Sequence, residues 1–354
     1  MRVFVIIVAA LAALIVFGAY GPGALQAVKF TPTPQDPELL ALFDEVQYPV
    51  LEEAESLLGS EDLEVGPDGR LYASLADGRI MVRAADTSWQ EYANTGGRPL
   101  GLSFGPDGRL FVADAKLGLL VETDTGFETW LAQIPEGPLV FTDDLTVLDD
   151  GSVILTDASL RHSYGDHILS FAEGEQTGVI YKITGPNEYE LLAEGYGFIN
   201  GVDHDPQTGL VYINETWAGQ TWVLDPETAE MNLLITGLPG YPDNLEFDPA
   251  TGLIWIALPA RRSAELEPLH PHPFFKRLVW RLIQIVGEPP LPPMPAMAMA
   301  VDRSGEVVFA LSGPNHHETG ITTATPWRGQ LWTSGLERYA IDAYDVPEGV
   351  IAND

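Results

Sequence analysis

No cysteine occurs among the 354 residues, which excludes disulfides, thiolate nucleophiles, cysteine-ligated zinc and iron–sulfur clusters and leaves the redox compartment open. Basic side chains are scarce. Eighteen lysines and arginines stand against 51 aspartates and glutamates, and a net charge of −33 repels a phosphate backbone strongly enough to exclude nucleic acid as a partner. A metal in such a chain would sit on oxygen or imidazole. What is abundant is apolar content, 45%, enough for one large core or two ordinary ones and too much for a disordered chain. The 35 glycines and 28 prolines point to many tight turns and few long helices.

After Arg2 comes an uncharged, mostly apolar run, Val3 to Tyr20, which as a helix approaches the thickness of a bilayer core. It is longer than the apolar region of a cleaved signal peptide and is followed only by a weak cleavage site, Leu25-Gln26-Ala27, so residues 1–21 read as an uncleaved anchor. Positive charge precedes the run and an acidic chain follows it, which places the body in the periplasm or cell exterior. Residues 22–45, rich in proline, read as a stiff linker, 46–347 as the folded body and 348–354 as a tail.

The body carries a repeat. A turn-plus-strand phrase recurs as GPDGRLYAS at Gly66, GPDGRLFVA at Gly105, DDGSVILTD at Asp149, DPQTGLVYI at Asp205, DPATGLIWI at Asp248 and DRSGEVVFA at Asp302. The turn glycines lie 39, 43, 58, 43 and 53 residues apart, the range of a four-stranded blade with variable loops. Such a blade cannot bury both faces alone, so the expected fold is all-β, a six-bladed β-propeller. Gly329-Gln330-Leu331-Trp332 reads as a further, degenerate hairpin of the last blade or of another. Between 259 and 295 the β grammar breaks. Pro273 to Val286 has helical composition, with apolar residues such as Phe274, Leu278 and Leu282 and basic Lys276, Arg277 and Arg281, and it predicts either a lid over the propeller or a basic amphipathic helix lying on an anionic membrane.

A propeller's axis gathers residues that are far apart in sequence. Glu61 and Asp143 lie 8 residues before their turn glycines, and Asn200 and Asp243 lie 9 before theirs. Local capping of turns explains any one of them but gives no reason for a shared offset. The offset predicts four oxygen-bearing side chains at one height around an axial divalent cation, for which calcium is the natural choice and magnesium or manganese also fit. Asp62 and Asp144, directly after two of these residues, would hold the loops from behind.

Several phrases, taken in order, carry a resemblance: Arg98-Pro99-Leu100-Gly101-Leu102, Phe111-Val112-Ala113-Asp114-Ala115, Phe141-Thr142-Asp143-Asp144-Leu145, Asn200-Gly201-Val202, Asn214-Glu215-Thr216-Trp217, Leu238 to Asn244 and Pro273-Phe274-Phe275-Lys276-Arg277. Over residues 50 to 345 the chain resembles the strictosidine synthase-like family, whose animal adipocyte plasma membrane-associated members share the amino-terminal anchor, within the paraoxonase and gluconolactonase propellers. The resemblance implies an axial metal on Glu61, Asn200 and Asp243 with Asn244 adjacent, and Asp143 where the family has asparagine. It does not extend to alkaloid condensation, because about Thr322 falls where strictosidine synthase has its glutamate, nor to the paraoxonase histidine pair.

What remains is metal-assisted hydrolysis of a small apolar ester or lactone. Asp143, Asp144 and Glu61 are the candidate bases, with His162, His167, His316 and His317 as others whose loops would have to reach the axis. Trp217, Tyr164 and Trp332 are candidate walls of the substrate pocket. Two other readings stand beside it. One is a non-enzymatic, membrane-anchored propeller that binds a protein or lipid partner and keeps its metal for structure. The other is a sugar-lactone enzyme, which the apolar 259–295 insertion disfavours.

Overall fold

The computed structural model describes residues 16–43, 48–55, 57–85, 87–287, 295–313, 320–347 and 349–351. Among them are six four-stranded antiparallel sheets, five of them built of chain-sequential hairpins, and one short two-stranded ribbon. The innermost strands are Leu63–Val65, Pro99–Phe104, Thr142–Val147, Ile199–His204, Leu245–Asp248 and Thr323–Trp327. Each lies beside the next and the last lies beside the first, so the six blades close a ring.

Closure is made between the two ends of the chain. The sixth blade takes Thr323–Trp327, Gln330–Ser334 and Ala340–Asp345 from the carboxyl end and its outermost strand, Val50–Glu55, from the amino end. Ala54 pairs with Ile341 and Val50 with Tyr344.

Second strands such as Leu71–Ser74, Leu110–Asp114, Val153–Asp157 and Leu253–Ala257 are buried along their whole length because both faces of a blade are covered by neighbours. Alternate residues serve opposite interfaces. Val112 packs with Tyr72 and Ile80 of the first blade, whereas its neighbour Phe111 packs with Leu145 and Val153 of the third. One apolar cluster fills each of the six blade-to-blade contacts.

Five of the six repeat phrases turn between the first and second strands of blades one to five. The sixth does not. Gly305 turns between Met297–Val301 and Val307–Ser312, the third and fourth strands of the fifth blade. The inner hairpin of the sixth blade is the degenerate one: Trp327 pairs with Gln330 across Arg328 and Gly329, both at positive φ (53° and 74°) as a two-residue hairpin of this hand requires. The non-β segment is inserted inside the fifth blade, between its second and third strands. It contributes a short 3₁₀ turn, Glu267–Leu269, and a helix, Pro273–Val286.

Two further helices are Pro37–Ala41 (α1) and His167–Glu173 (α2), which makes Pro273–Val286 α3. The segment expected to be a linker is tied to the body along its length. Val28 N donates to Glu173 O at 2.9 Å, Phe30 N to His270 O at 3.1 Å and Asp36 N to Gly237 O at 2.8 Å. The expected anchor falls largely on residues 1–15, outside the described residues. Residues 16–20 are helical, and among the described residues no helix is long and apolar enough to cross a membrane.

Because Val50–Glu55 completes the last sheet, removing residues 1–56 is expected to abolish the single cooperative thermal transition. Removing only 1–47 leaves the closure in place, and the transition should survive at a lower midpoint. Calorimetry of the two truncations checks this.

Candidate axial metal site

The ladder between inner and second strands slips in the second, third and fourth blades: between Pro99 and Leu102, Thr142 and Leu145, and Ile199 and Val202. A bulge at the start of an inner strand re-aims side chains. In the third and fourth blades the bulged residues include Asp143, Asp144 and Asn200. In the first and fifth, Glu61, Asp243 and Asn244 sit just ahead of the strand.

These residues meet. Asn244 Nδ2 donates to Glu61 Oε1 at 2.9 Å. Asn200 donates to the Asp243 carboxylate. Burial, then Asp243 and Asp62, push the Glu61 carboxyl well above its ordinary range, with Arg98 and the Asn244 hydrogen bond opposing. Burial together with Glu61 and Asp243 does the same to Asp143. Burial raises Asp243 to about 7 against its bond from Asn200. The sixth blade joins through Thr322, whose Oγ1 donates to Glu61 O at 2.6 Å while its own carbonyl accepts from Asn244 N at 3.0 Å.

Four buried oxygens in this group have no hydrogen-bond partner: Glu61 Oε2, Asp143 Oδ2, Asn200 Oδ1 and Asn244 Oδ1. Each comes from a different blade. Unpartnered buried acceptors are costly, and these four hard oxygens, two from carboxylates and two from amides, form a donor set that fits a calcium-type cation.

Asp144 has another task. Its Oδ1 accepts from Leu145 N at 2.8 Å and its Oδ2 from Val202 N at 2.7 Å, which ties the third blade to the fourth. Asp62 does the same toward the second blade through Leu102 N at 2.9 Å. As both Asp144 oxygens are taken by backbone donors, it is a blade-to-blade staple and not a free base. Below this level a narrow axial space is lined by Asp62, Glu64, Asp144, Asp203 and Glu246.

Above the oxygens lies an apolar cap of Phe30, Leu100, Phe141, Phe198 and Trp217, with Tyr164, Phe171 and Tyr241 packed against it. Two expected pocket residues, Trp217 and Tyr164, belong to it. Trp332 does not: it packs with Leu63, Leu71 and Trp327 between the first and sixth blades under the Arg83 guanidinium, because its side of the strand faces the neighbouring blade. Sequence reading used Arg98 only as part of a motif. It is fully buried over the Tyr164 ring, donates to Tyr164 Oη at 3.1 Å and Pro99 O at 3.0 Å, and keeps Nη2 unpartnered.

The histidines go elsewhere. His162 Nε2 lies 3.0 Å from Glu173 Oε2, in a buried group with Glu175 whose ligating atoms fall within 4.8 Å of one another. Arg161 pairs with the same Glu173 oxygen at 2.8 Å and Gln26 N donates to its other oxygen at 2.7 Å, so this group anchors the amino-terminal segment. His167 is half-buried near Asp166 and Glu337 at the start of α2. His316 and His317 lie outside the described residues.

Residues 76–266 match the SMP-30/gluconolactonase/LRE-like region, and residues 57–82 the amino-terminal part of strictosidine synthase-like proteins. The chain belongs to the SMP-30/gluconolactonase/LRE-like family. Strictosidine synthase-like protein 6 of Arabidopsis thaliana is 30% identical over 297 residues, covering 80% of this chain and 79% of its own. The adipocyte plasma membrane-associated protein of Gallus gallus is 29% identical over 305 residues, covering 77% and 72%. The match to strictosidine synthase-like protein 13 of Arabidopsis thaliana, 31% identical, spans 66% of this chain and 66% of that relative. Among solved structures, a gluconolactonase of Xanthomonas campestris superposes with a TM-score of 0.59 at 14% identity, over 92% of this chain and 97% of that one. A calcium-binding regucalcin of Agrobacterium tumefaciens gives 0.57 at 14% identity, over 85% and 95%. At these identities the two structures bear on the fold alone.

Within this family member the ring leaves no space at Gly201. A Cβ there would lie 2.5 Å from both Asn244 Cα and Asp243 O. Gly201→Ala is expected to destabilise by about 1–3 kcal/mol through overpacking and to displace the Asp243–Asn244 turn. Ser152→Ala, at a repeat turn away from the axis, should cost less; urea unfolding of both checks the difference.

Proposed function

We propose that the protein is a metal-dependent hydrolase of small esters or lactones with an apolar body, and that Glu61, Asp143, Asn200, Asp243 and Asn244 hold its cation. The observation that carries this reading is the set of four unpartnered buried oxygens from four blades. When bound, calcium or a similar ion supplies polarisation of the substrate carbonyl and charge for the developing oxyanion.

The chain supplies the rest. Phe141, Phe198, Trp217 and Tyr164 receive the apolar body of the substrate and exclude bulk water. Arg98 offsets the negative charge around Glu61. Asp143 or Glu61, each pushed upward by burial and by neighbouring carboxylates, accepts a proton from the attacking water and returns it to the leaving oxygen. The match of residues 76–266 to the SMP-30/gluconolactonase/LRE-like region is consistent with this chemistry. In the same reading, Val3–Tyr20 holds the body at a membrane with the propeller on the periplasmic or outer side.

The test is hydrolysis of a panel of aryl esters and aliphatic lactones, with and without chelator, beside calorimetry with added calcium. Calcium should raise the unfolding midpoint and support turnover. Asp243→Ala should remove the calcium-dependent rise and lower turnover by about 10²-fold or more. A calcium-stabilised protein inert across the panel would leave only a structural ion.

A further inference from the structure

The cations of α3 are used inside the fold. Lys276 is buried and donates to Glu173 O at 2.6 Å. Arg277 donates from Nε to Leu25 O at 3.1 Å and from Nη2 to Ala27 O at 2.8 Å. Arg281 donates to Gly18 O at 3.2 Å and Pro22 O at 2.8 Å. The apolar residues are turned outward: Ile285 is 74% exposed and Val286 69%, and Phe275 and Leu282 are more than half exposed. Next to them, Phe17 and Tyr20 are also exposed, with the Tyr20 ring tilted 35° to that of Phe274 at 6.3 Å and lying under the Arg277 guanidinium.

We propose that α3 and residues 16–20 form one lipid-contacting face by which the propeller is seated on a bilayer, through apolar side chains and not through basic headgroup contacts. Three observations select lipid as the occupant. The described chain begins at Val16, inside the uncharged run Val3–Tyr20, and the end of that run is fastened to α3 by the Arg281 bond to Gly18; a run of this length that enters hydrocarbon leaves it beside α3. Six large apolar side chains gathered on adjoining surfaces differ from the single exposed leucines, such as Leu191 and Leu233, found on outer strands. The arginines are committed to backbone carbonyls and the chain carries −33, so charge attraction to anionic lipid is not what the face offers.

The face is on the side of the axial oxygens. Its helix follows His270, which packs edge-on to Phe171 and Phe30, members of the apolar cap over the ring. On the hydrolase reading, and resting on it, an apolar substrate then reaches the axis from the lipid side.

The absence of cysteine allows a direct test. Leu282→Cys, Ile285→Cys and Leu233→Cys of the full chain are each labelled with nitrobenzoxadiazole and reconstituted into phosphatidylcholine vesicles with and without phosphatidylglycerol. The labels at 282 and 285 should shift to the blue and be quenched by doxyl-lipid to the same extent in both compositions, while the label at 233 remains open to aqueous iodide. Labels at 282 and 285 as open to iodide as that at 233, on protein that stays with the vesicles, would overturn the inference and leave the anchor intact; protein absent from the vesicle fraction would overturn the anchor as well. A blue shift that needs no lipid and grows with protein concentration would assign the face to a second copy. Quenching confined to phosphatidylglycerol vesicles would assign the contact to headgroup charge. Either result overturns the proposal, and none of these readouts depends on hydrolysis.

Discussion

Like charges forced together on a dry axis are the constraint from which the rest of this structure can be read. Glu61, Asp143 and Asp243 come from three blades and all are buried; Asp243 raises the proton affinity of Glu61, and both raise that of Asp143. Arg98 eases Glu61. Such a grouping costs several kcal/mol per uncompensated charge unless protons or a cation neutralise it. The fold does not avoid the cost by moving the groups apart; it fixes them with bonds from Asn200, Asn244 and Thr322, and leaves one oxygen on each of four residues without a partner. The arrangement leaves buried acceptors near the axis whose cost a bound cation would remove.

The same strand starts hold the ring together, so the binding site and the closure of the fold are mechanically one object. Glu61 and Asp143 present oxygens to the axis, while the residues directly after them, Asp62 and Asp144, bond to backbone N–H groups of the next blades. Asp203, one level below, reaches Phe247 N of the fifth blade at 2.7 Å. A cation drawn to the upper oxygens therefore pulls on the same short loops that join neighbouring blades. Metal binding and thermal stability should be coupled in such a ring whatever chemistry it performs.

Much of this was legible in the sequence, and the limits are instructive. The glycine-bearing turns announced blades because a reversal followed by a β-rich run is a local signal, and the shared offset of Glu61, Asp143, Asn200 and Asp243 announced convergence because equivalent blades place equivalent residues at one height. The phrase at Asp302 misled. An outer hairpin needs the same tight turn as an inner one, so turn chemistry cannot tell which pair of strands it joins, whereas Arg328-Gly329 makes the inner turn of the sixth blade without the acidic phrase. Trp332 was misplaced for a related reason: composition gives the residue, but strand register decides whether it faces the axis or a neighbouring blade; Asp144, read both as a group holding its loop and as a candidate base, has the first of these roles in its bonds from Leu145 and Val202. Residues 22–45 were read as a linker because they are rich in proline and polar residues, yet an extended segment can be held by bonds to the body that no local pattern reveals.

That last point explains the orientation of α3. Amphipathicity states that two faces of a helix differ and does not state which one faces the protein. The extended segment beside it has carbonyls with no ladder partner, and buried or half-buried carbonyls need donors. Arg277 and Arg281 supply them at Leu25, Ala27, Gly18 and Pro22, which fixes the polar side inward and leaves Phe275, Leu282, Ile285 and Val286 outside. Each of these side chains, more than half exposed, forgoes a large part of the roughly 1.5–3 kcal/mol that full burial would supply. An exterior of hydrocarbon removes that penalty without disturbing a single arginine bond, so the hydrogen bonds of the strap and the apolar exterior of the helix answer to the same arrangement.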